Sequence, residues 1–392
     1  MSAVDERLDP PPGLLVRVAA RLGAALLPLR DPIAFAPAPG QLRRILIVRS
    51  DDRVGNALLT IPLARALATA LPLARIDLLL PAGRASAADG LPGIALLRFE
   101  KRDAFRHPLR FLRFLRDLRA AGYDAAIDAA HWHAFSLTSA LLARWARPRL
   151  LVGSARGESR LYSRAVPLPP AGMREVEAKL LLLEGLGLRA PPAPPLETAL
   201  GTSDPARSGA RAALASLGIA GRFVALNPGA RKADHRWPAA AFGALAGQIH
   251  ERTGLRAVVL WGPGEEPLAE RVCRAASGAA LLAPPTGLDA LAAFFREAAL
   301  VVANDTGPMH LAVACGAPVL ALGLAADAER WSHPGPKFRL VHVATRAASA
   351  HELAASSDAS ADALAAALEL LALTAAGAQG SLPGFPAQGG TQ

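Results

Sequence analysis

Cysteine is nearly absent: the 392 residues hold two, Cys273 and Cys315, both in apolar helical surroundings. Such usage argues against a disulfide framework or a cysteine zinc site and fits a reducing cytoplasm. Long apolar runs are missing too. The longest uncharged stretch, residues 306–326, has the length of a membrane-spanning helix, but Gly316-Ala317-Pro318 breaks it, so no transmembrane segment is expected. No secretory signal is expected either, because residues 13–29 are interrupted by Arg17 and Arg21 and lack a cleavage site. That stretch reads as an amphipathic basic helix that docks on the protein or lies on a membrane surface. Neither a dinucleotide-binding glycine fingerprint nor a P-loop occurs, which weakens the usual dehydrogenase and NTPase readings.

What is present is a globular chain with 52% hydrophobic and 19% charged residues, long enough for two domains. Its net charge of +10 favours anionic partners, but the arginines are dispersed and no nucleic-acid motif accompanies them. Short apolar runs at 45–48, 76–80, 94–98, 125–128 and 150–153 alternate with helical segments, as do those at 223–226, 257–261, 280–282, 300–303, 319–322 and 340–343. This alternation predicts an α/β protein with two parallel sheets. The expected organisation is an N-terminal extension (1–40), a first Rossmann-like domain (41–184), a proline-rich linker (185–209) and a second Rossmann-like domain (210–345). A C-terminal helical segment (346–374) and a disordered tail (375–392) follow. Between strands, residues 107–120 predict a helix with Phe111, Leu112, Phe114, Leu115 and Leu118 as one apolar set. Its Arg110, Arg113, Arg116 and Arg119 lie on another face, either solvated or touching anionic headgroups. His131-Trp132-His133 lacks a third metal ligand nearby and reads as an acceptor-side loop.

The chemistry concentrates where the strand at 300–303 meets Asn304-Asp305-Thr306-Gly307-Pro308-Met309-His310. Asp305 or Thr306 is suited to cap a helix with Pro308 in its first turn, and the helix N-terminus would cradle a diphosphate. Asp305 is also suited to accept from a sugar hydroxyl, and His310 to donate to phosphate or sugar. Asn227-Pro228-Gly229-Ala230 allows close approach of a ligand, with cations following at Arg231, Lys232, His235 and Arg236. Gly262-Pro263-Gly264-Glu265 offers a carboxylate to ribose hydroxyls. Together these loops describe a nucleotide-diphosphate site.

These motifs, with residues 45–62 and Arg236-Trp237-Pro238, resemble glycosyltransferase family 9, the heptosyltransferases of lipopolysaccharide core assembly; the resemblance spans residues 43–343. It implies a GT-B fold, two Rossmann-like domains facing a central cleft, with acceptor bound by the first and an ADP-activated sugar by the second. It further implies inverting transfer without a required metal or other cofactor, a lipopolysaccharide or glycolipid acceptor, and a cytoplasmic protein in peripheral contact with the inner membrane. Asn227, Gly229, Gly262, Glu265, Asp305, Thr306, Gly307, Pro308 and His310 would then hold the donor. Two departures stand out. The lysine usual before Arg-Trp-Pro is His235 here, leaving Lys232, His235 or Arg236 to face the phosphates. The family's basic aspartate, at the end of the first loop, is Asn56, which cannot take a proton. Asp51 and Asp52 are the nearby carboxylates, and Asp52 is the preferred base. If neither serves, the chain is a non-catalytic sugar-nucleotide-binding relative.

Overall fold

The structure is a computed structural model that describes residues 13–30, 39–156, 159–343 and 357–379. Two six-stranded, all-parallel sheets form its frame. The first has the order β3-β2-β1-β4-β5-β6, from β1 (Arg44–Val48), β2 (Arg75–Pro81), β3 (Ile94–Phe99), β4 (Ala125–Asp128), β5 (Leu150–Ser154) and β6 (Arg164–Val166). The second has the order β12-β11-β10-β7-β8-β9, from β7 (Val224–Asn227), β8 (Ala257–Val259), β9 (Ala280–Leu282), β10 (Leu300–Asn304), β11 (Val319–Gly323) and β12 (Phe338–His342). The central strands are buried on both faces, which is why they read as continuous apolar runs rather than alternating ones.

The helices cover both faces of each sheet. In the first half they are α1 (Leu14–Leu26), α2 (Val54–Leu58), α3 (Ile61–Ala70), α4 (Asp103–Arg106), α5 (Pro108–Ala120), α6 (Leu137–Trp145) and α7 (Glu175–Leu180). In the second they are α8 (Asp204–Ser216), α9 (Ala239–Thr253), α10 (Glu266–Ala275), α11 (Leu288–Glu297), α12 (Gly307–Ala314), α13 (Ala328–Trp331) and α14 (Ser357–Gln379). Ala20 of α1, Leu118 of α5 and Leu142 of α6 pack with Leu46 and Val48 on the outer face of the first sheet. Helices α9, α10 and α14 cover the outer face of the second. The inner faces share one continuous core running from Ile45 and Leu63 to Val301 and Leu311, so the two halves form a single block with the cleft at the sheet ends.

Several expectations need correction. Strand β6 is three residues long and does not stand out as an apolar run. The linker ends before 209, because Ser203 accepts from the Ala206 N–H at 3.3 Å and starts α8 with Pro205 in its first turn. Helix α14 continues to Gln379, beyond the expected start of the tail at 375; the rest of that tail, and 346–356, lie outside the described residues. Leu112 does not join the apolar set of α5 but faces outward. Among the described residues no helix is long and apolar enough to cross a membrane.

Candidate active site

Parallel strands deliver their C-terminal ends to the same side of each sheet, and there the two halves meet. Strand β1 runs into the Arg49–Arg53 loop and α2, and β10 runs into α12. The contact is intimate: a Cβ on Gly55 would lie 2.6 Å from His310 Cδ2, and one on Gly307 would lie 2.9 Å from Val54 Cγ1. Both positions demand glycine for close approach. A cavity of about 500 Å³ opens beside this contact.

Helix α12 starts without a side-chain cap. Thr306 occupies the capping position, but its hydroxyl donates to the Asn304 carbonyl at 3.2 Å, and Asp305 does not cap either. The positive end of the helix is left facing the cavity, where Arg231, Lys232 and His235 also stand. Buried Asn304 holds this wall together: its Nδ2 donates to the Pro228 carbonyl at 2.8 Å and its Oδ1 accepts from the Trp237 N–H at 3.0 Å. Glu265 Oε2 accepts from the Gly262 N–H at 3.0 Å, and a Cβ on Gly229 would fall 2.1 Å from that oxygen. Asn227, Gly229, Lys232, His235, Glu265, Asp305, Thr306, Gly307, Pro308 and His310 all line the cavity. Gly262 and Arg236 do not. Arg236 is turned back to donate to the Ala230 carbonyl at 2.6 Å, so Lys232 and His235 remain to replace the missing lysine.

Burial, reinforced by Asp327, raises the Asp305 carboxyl to about 7. Burial lowers His310 to about 4, and its Nδ1 lies 2.7 Å from Nε2 of His333, which burial also holds well below the usual imidazole range. The two rings are therefore neutral and joined by one N–H···N hydrogen bond.

The first-loop carboxylates are placed differently from the sequence expectation. Neither Asp51 nor Asp52 lines the cavity. Asp52 is 73% exposed and pairs with Arg84 at 3.0 Å. Asp51 is held by the Arg49 guanidinium and by the Asn56 amide, whose Nδ2 donates to it. Both carboxylates are thus engaged away from the cavity, while Asn56 itself faces it.

Behind this loop lies a buried polar chain. Arg49 donates to the Ala129 carbonyl at 2.6 Å and to His131 Nε2, and His131 Nδ1 lies 2.8 Å from Glu175 Oε1. Lys179 Nζ closes the chain 3.0 Å from the same Glu175 oxygen. Burial and the Arg49 charge keep His131 neutral. Its partners assign the proton to Nδ1. Burial alone would raise the Glu175 carboxyl, but Lys179 and His131 outweigh it and hold the group well below the carboxylate range. His131, His133 and Glu175 offer ligand atoms within 4.8 Å of one another, a spacing a metal ion accepts. However, the His131 nitrogens are taken by Arg49 and Glu175, and Lys179 already neutralises Glu175, so the donor set suits this cation pair better than a metal.

His133, which the sequence reads as part of an acceptor-side loop and not as a catalytic candidate, belongs to the site. It lines the cavity from the first domain, with its ring 4.7 Å from that of His131 and edge-on to Trp331 of the second domain at 5.3 Å. Its two-residue spacing from His131 was visible in the sequence, but the Trp331 contact is tertiary. A larger cavity of about 770 Å³, on the far side of His333, is lined by Pro194, Leu196 and Phe338 and contains none of the expected site residues.

The family model for glycosyltransferase family 9 (heptosyltransferase) matches residues 111–361. The chain belongs to glycosyltransferase family 9. Among its curated family relatives is lipopolysaccharide heptosyltransferase 3 of Escherichia coli (strain K12), 27% identical over 286 residues, covering 71% of this chain and 81% of that one. Another is lipopolysaccharide heptosyltransferase 1 of Pseudomonas aeruginosa, 28% identical over 297 residues, covering 71% and 78%. The family 9 glycosyltransferase of Veillonella parvula has a similar fold, with a TM-score of 0.70 and 18% identity over 84% of this chain and 98% of that one. E. coli heptosyltransferase WaaC, solved with ADP, has a TM-score of 0.59 and 25% identity over 76% and 92%. The two sheets facing one cleft are the family's GT-B arrangement, and this chain is a glycosyltransferase.

Proposed function

We propose that this glycosyltransferase moves a heptose from ADP-heptose, with inversion, onto a lipopolysaccharide core or related lipid-linked glycan at the cytoplasmic face of a membrane. The observation that carries the reading is the uncapped start of α12, facing Arg231, Lys232 and His235 across one cavity in a fold shared with an enzyme solved with ADP. The diphosphate lies against Thr306 and Gly307, the nucleoside runs toward Gly229 and Glu265, and Asp305 accepts from a sugar hydroxyl. The acceptor hydroxyl oxygen attacks the anomeric carbon, and the bond from that carbon to the phosphate oxygen breaks with its electron pair passing to the diphosphate. Helix end and cations stabilise the charge that develops on the leaving group. No metal is needed for that stabilisation in this scheme.

The hydroxyl proton goes to His133. In a direct displacement the base stands on the side of the sugar opposite the leaving group. His133 is on the first-domain wall, whereas Glu265, Asp305 and Asp327 belong to the donor-side wall. Asn56 accepts a hydrogen bond from the acceptor hydroxyl and orients it. Acceptor-dependent release of ADP from ADP-heptose by the native protein, with an inverted heptosyl product, is the expected result. Equal release from a UDP-hexose would overturn the donor assignment. A second reading, a sugar-nucleotide-binding protein without turnover, is favoured by Asn56 and by the paired state of Asp51 and Asp52; it predicts donor binding with no acceptor-dependent release.

Asp305 provides a separate check. Because its carboxyl sits near 7, a diphosphate bound beside it drives proton uptake at neutral pH. Calorimetry of ADP binding in two buffers of different ionisation heat is expected to show this uptake in the native protein and less of it in Asp305→Asn. Identical buffer dependence in the two proteins would remove Asp305 from the diphosphate's surroundings.

A further inference from the structure

Helix α1 is built inside out. The residues it turns toward the protein are small: Ala20 and Gly23 are buried, and a Cβ on Gly23 would meet Leu141 Cδ2 at 2.5 Å. The large apolar residues face out, with Leu15 at 84% and Leu26 at 75% exposure, and Val18 and Leu22 between them. At 100° per residue these four form one stripe. Folding does not account for such a stripe, since burying it would have been favourable and the helix packs through its other side.

An independent stretch repeats the pattern. Helices α4 and α5 expose Phe105 at 89%, Leu109 at 78%, and Leu112. Interspersed with them are Arg102, Arg106 and Arg113, exposed and without a side-chain partner among the described residues. The nearby acids are already used: Asp103 pairs with Arg110 at 3.1 Å and Asp117 with Arg116 at 2.8 Å. Helices α1 and α5 both pack with α6 over the outer face of the first sheet, so these two apolar and cationic surfaces lie on one flank of the molecule.

We propose that this flank, α1 together with α4 and α5, is a docking surface for an anionic phospholipid bilayer. Leucine and phenylalanine side chains enter the boundary between headgroups and acyl chains while the arginines meet lipid phosphates. The charge selects this occupant over a second copy of the chain, because a symmetric pair would bring the same arginine rows together. The surface deepens the lipid-linked acceptor reading, but binding to it requires neither donor nor acceptor.

The test is co-sedimentation of the full chain with vesicles of phosphatidylcholine alone or mixed with phosphatidylglycerol. Binding to the mixed vesicles only, weakened by salt, is expected. The Leu15→Ser/Leu22→Ser variant is expected to lose about tenfold or more in partitioning. Arg106→Gln/Arg113→Gln is expected to bind less tightly and with a shallower salt dependence. These side chains are exposed, so circular dichroism and ADP affinity are expected to match the native protein. Absence of vesicle binding by the native chain, or unchanged binding by the leucine variant, would overturn the proposal. So would a concentration-dependent dimer abolished by the leucine substitutions, which would assign the surface to a second copy. Because the assay is independent of turnover, its failure leaves the transferase reading standing, and loss of that reading leaves vesicle binding intact.

Discussion

Replacing His133 with glutamine is expected to lower the turnover of acceptor-dependent transfer by about 10²- to 10⁴-fold, the usual range for loss of a positioned general base. ADP affinity should be unchanged, because the donor-side wall is untouched. Turnover with saturating donor and acceptor separates the two effects. Chemical rescue adds a readout that a packing role would not move. In His133→Gly added imidazole should restore part of the rate. A glutamine variant with native turnover would eliminate His133 as the base.

Glu175→Gln is expected to destabilise the fold by about 3–5 kcal/mol, the range for removing one partner from a buried ion pair. Glu175 and Lys179 are almost completely buried, and burial lowers Lys179 to about 8 even with its partner present. Removing the carboxylate leaves the Lys179 ammonium facing Arg49 across a neutral amide. Chemical denaturation at neutral pH measures the loss as a shift in midpoint. Acid provides the complementary measurement. Because the native Glu175 carboxyl titrates well below an unfolded glutamate, its contribution is fully present above the ordinary carboxylate range. It drains away as pH falls from about 4 toward the depressed native value. The native protein should therefore show a steeper loss of stability with acid than Glu175→Gln. A destabilisation under about 1 kcal/mol, typical of a solvated pair, would mean that water reaches this network.

Much of the scaffold could be read in one dimension. Runs such as Ile45-Leu46-Ile47-Val48 and Leu300-Val301-Val302-Ala303 are continuous because parallel strands covered by helices are buried on both sides, and Pro308 and Gly316 bracket α12 by local backbone preference. That the three loops line one cavity was legible for the same reason: each is a short segment following a strand, and the fold needs only to bring three strand ends together. Side-chain direction was less accessible. Leu112 stands in the same apolar run of α5 yet faces outward, because at 100° per residue it falls off the stripe of Phe111, Phe114, Leu115 and Leu118 through which the helix rests on the sheet. The leucines of α1 point away for the converse reason, a close approach at Gly23 that brings the small side inward.

The base illustrates the limit most clearly. Sequence proximity made Asp51 and Asp52 the natural heirs of the position held by Asn56, but proximity along a loop does not set where a carboxylate points or what neutralises it. Arg84, from the segment after β2, draws Asp52 outward, and buried Arg49 with Asn56 holds Asp51. His133 reaches the cavity because Trp331, almost two hundred residues later, packs against its ring when the two domains meet. Local pattern and strand-end chemistry by themselves determined the α/β architecture and the loops that line the cavity beside α12. The packing of one domain on the other decided which groups are left able to move a proton, because ion pairing and burial depend on neighbours that the chain order does not reveal.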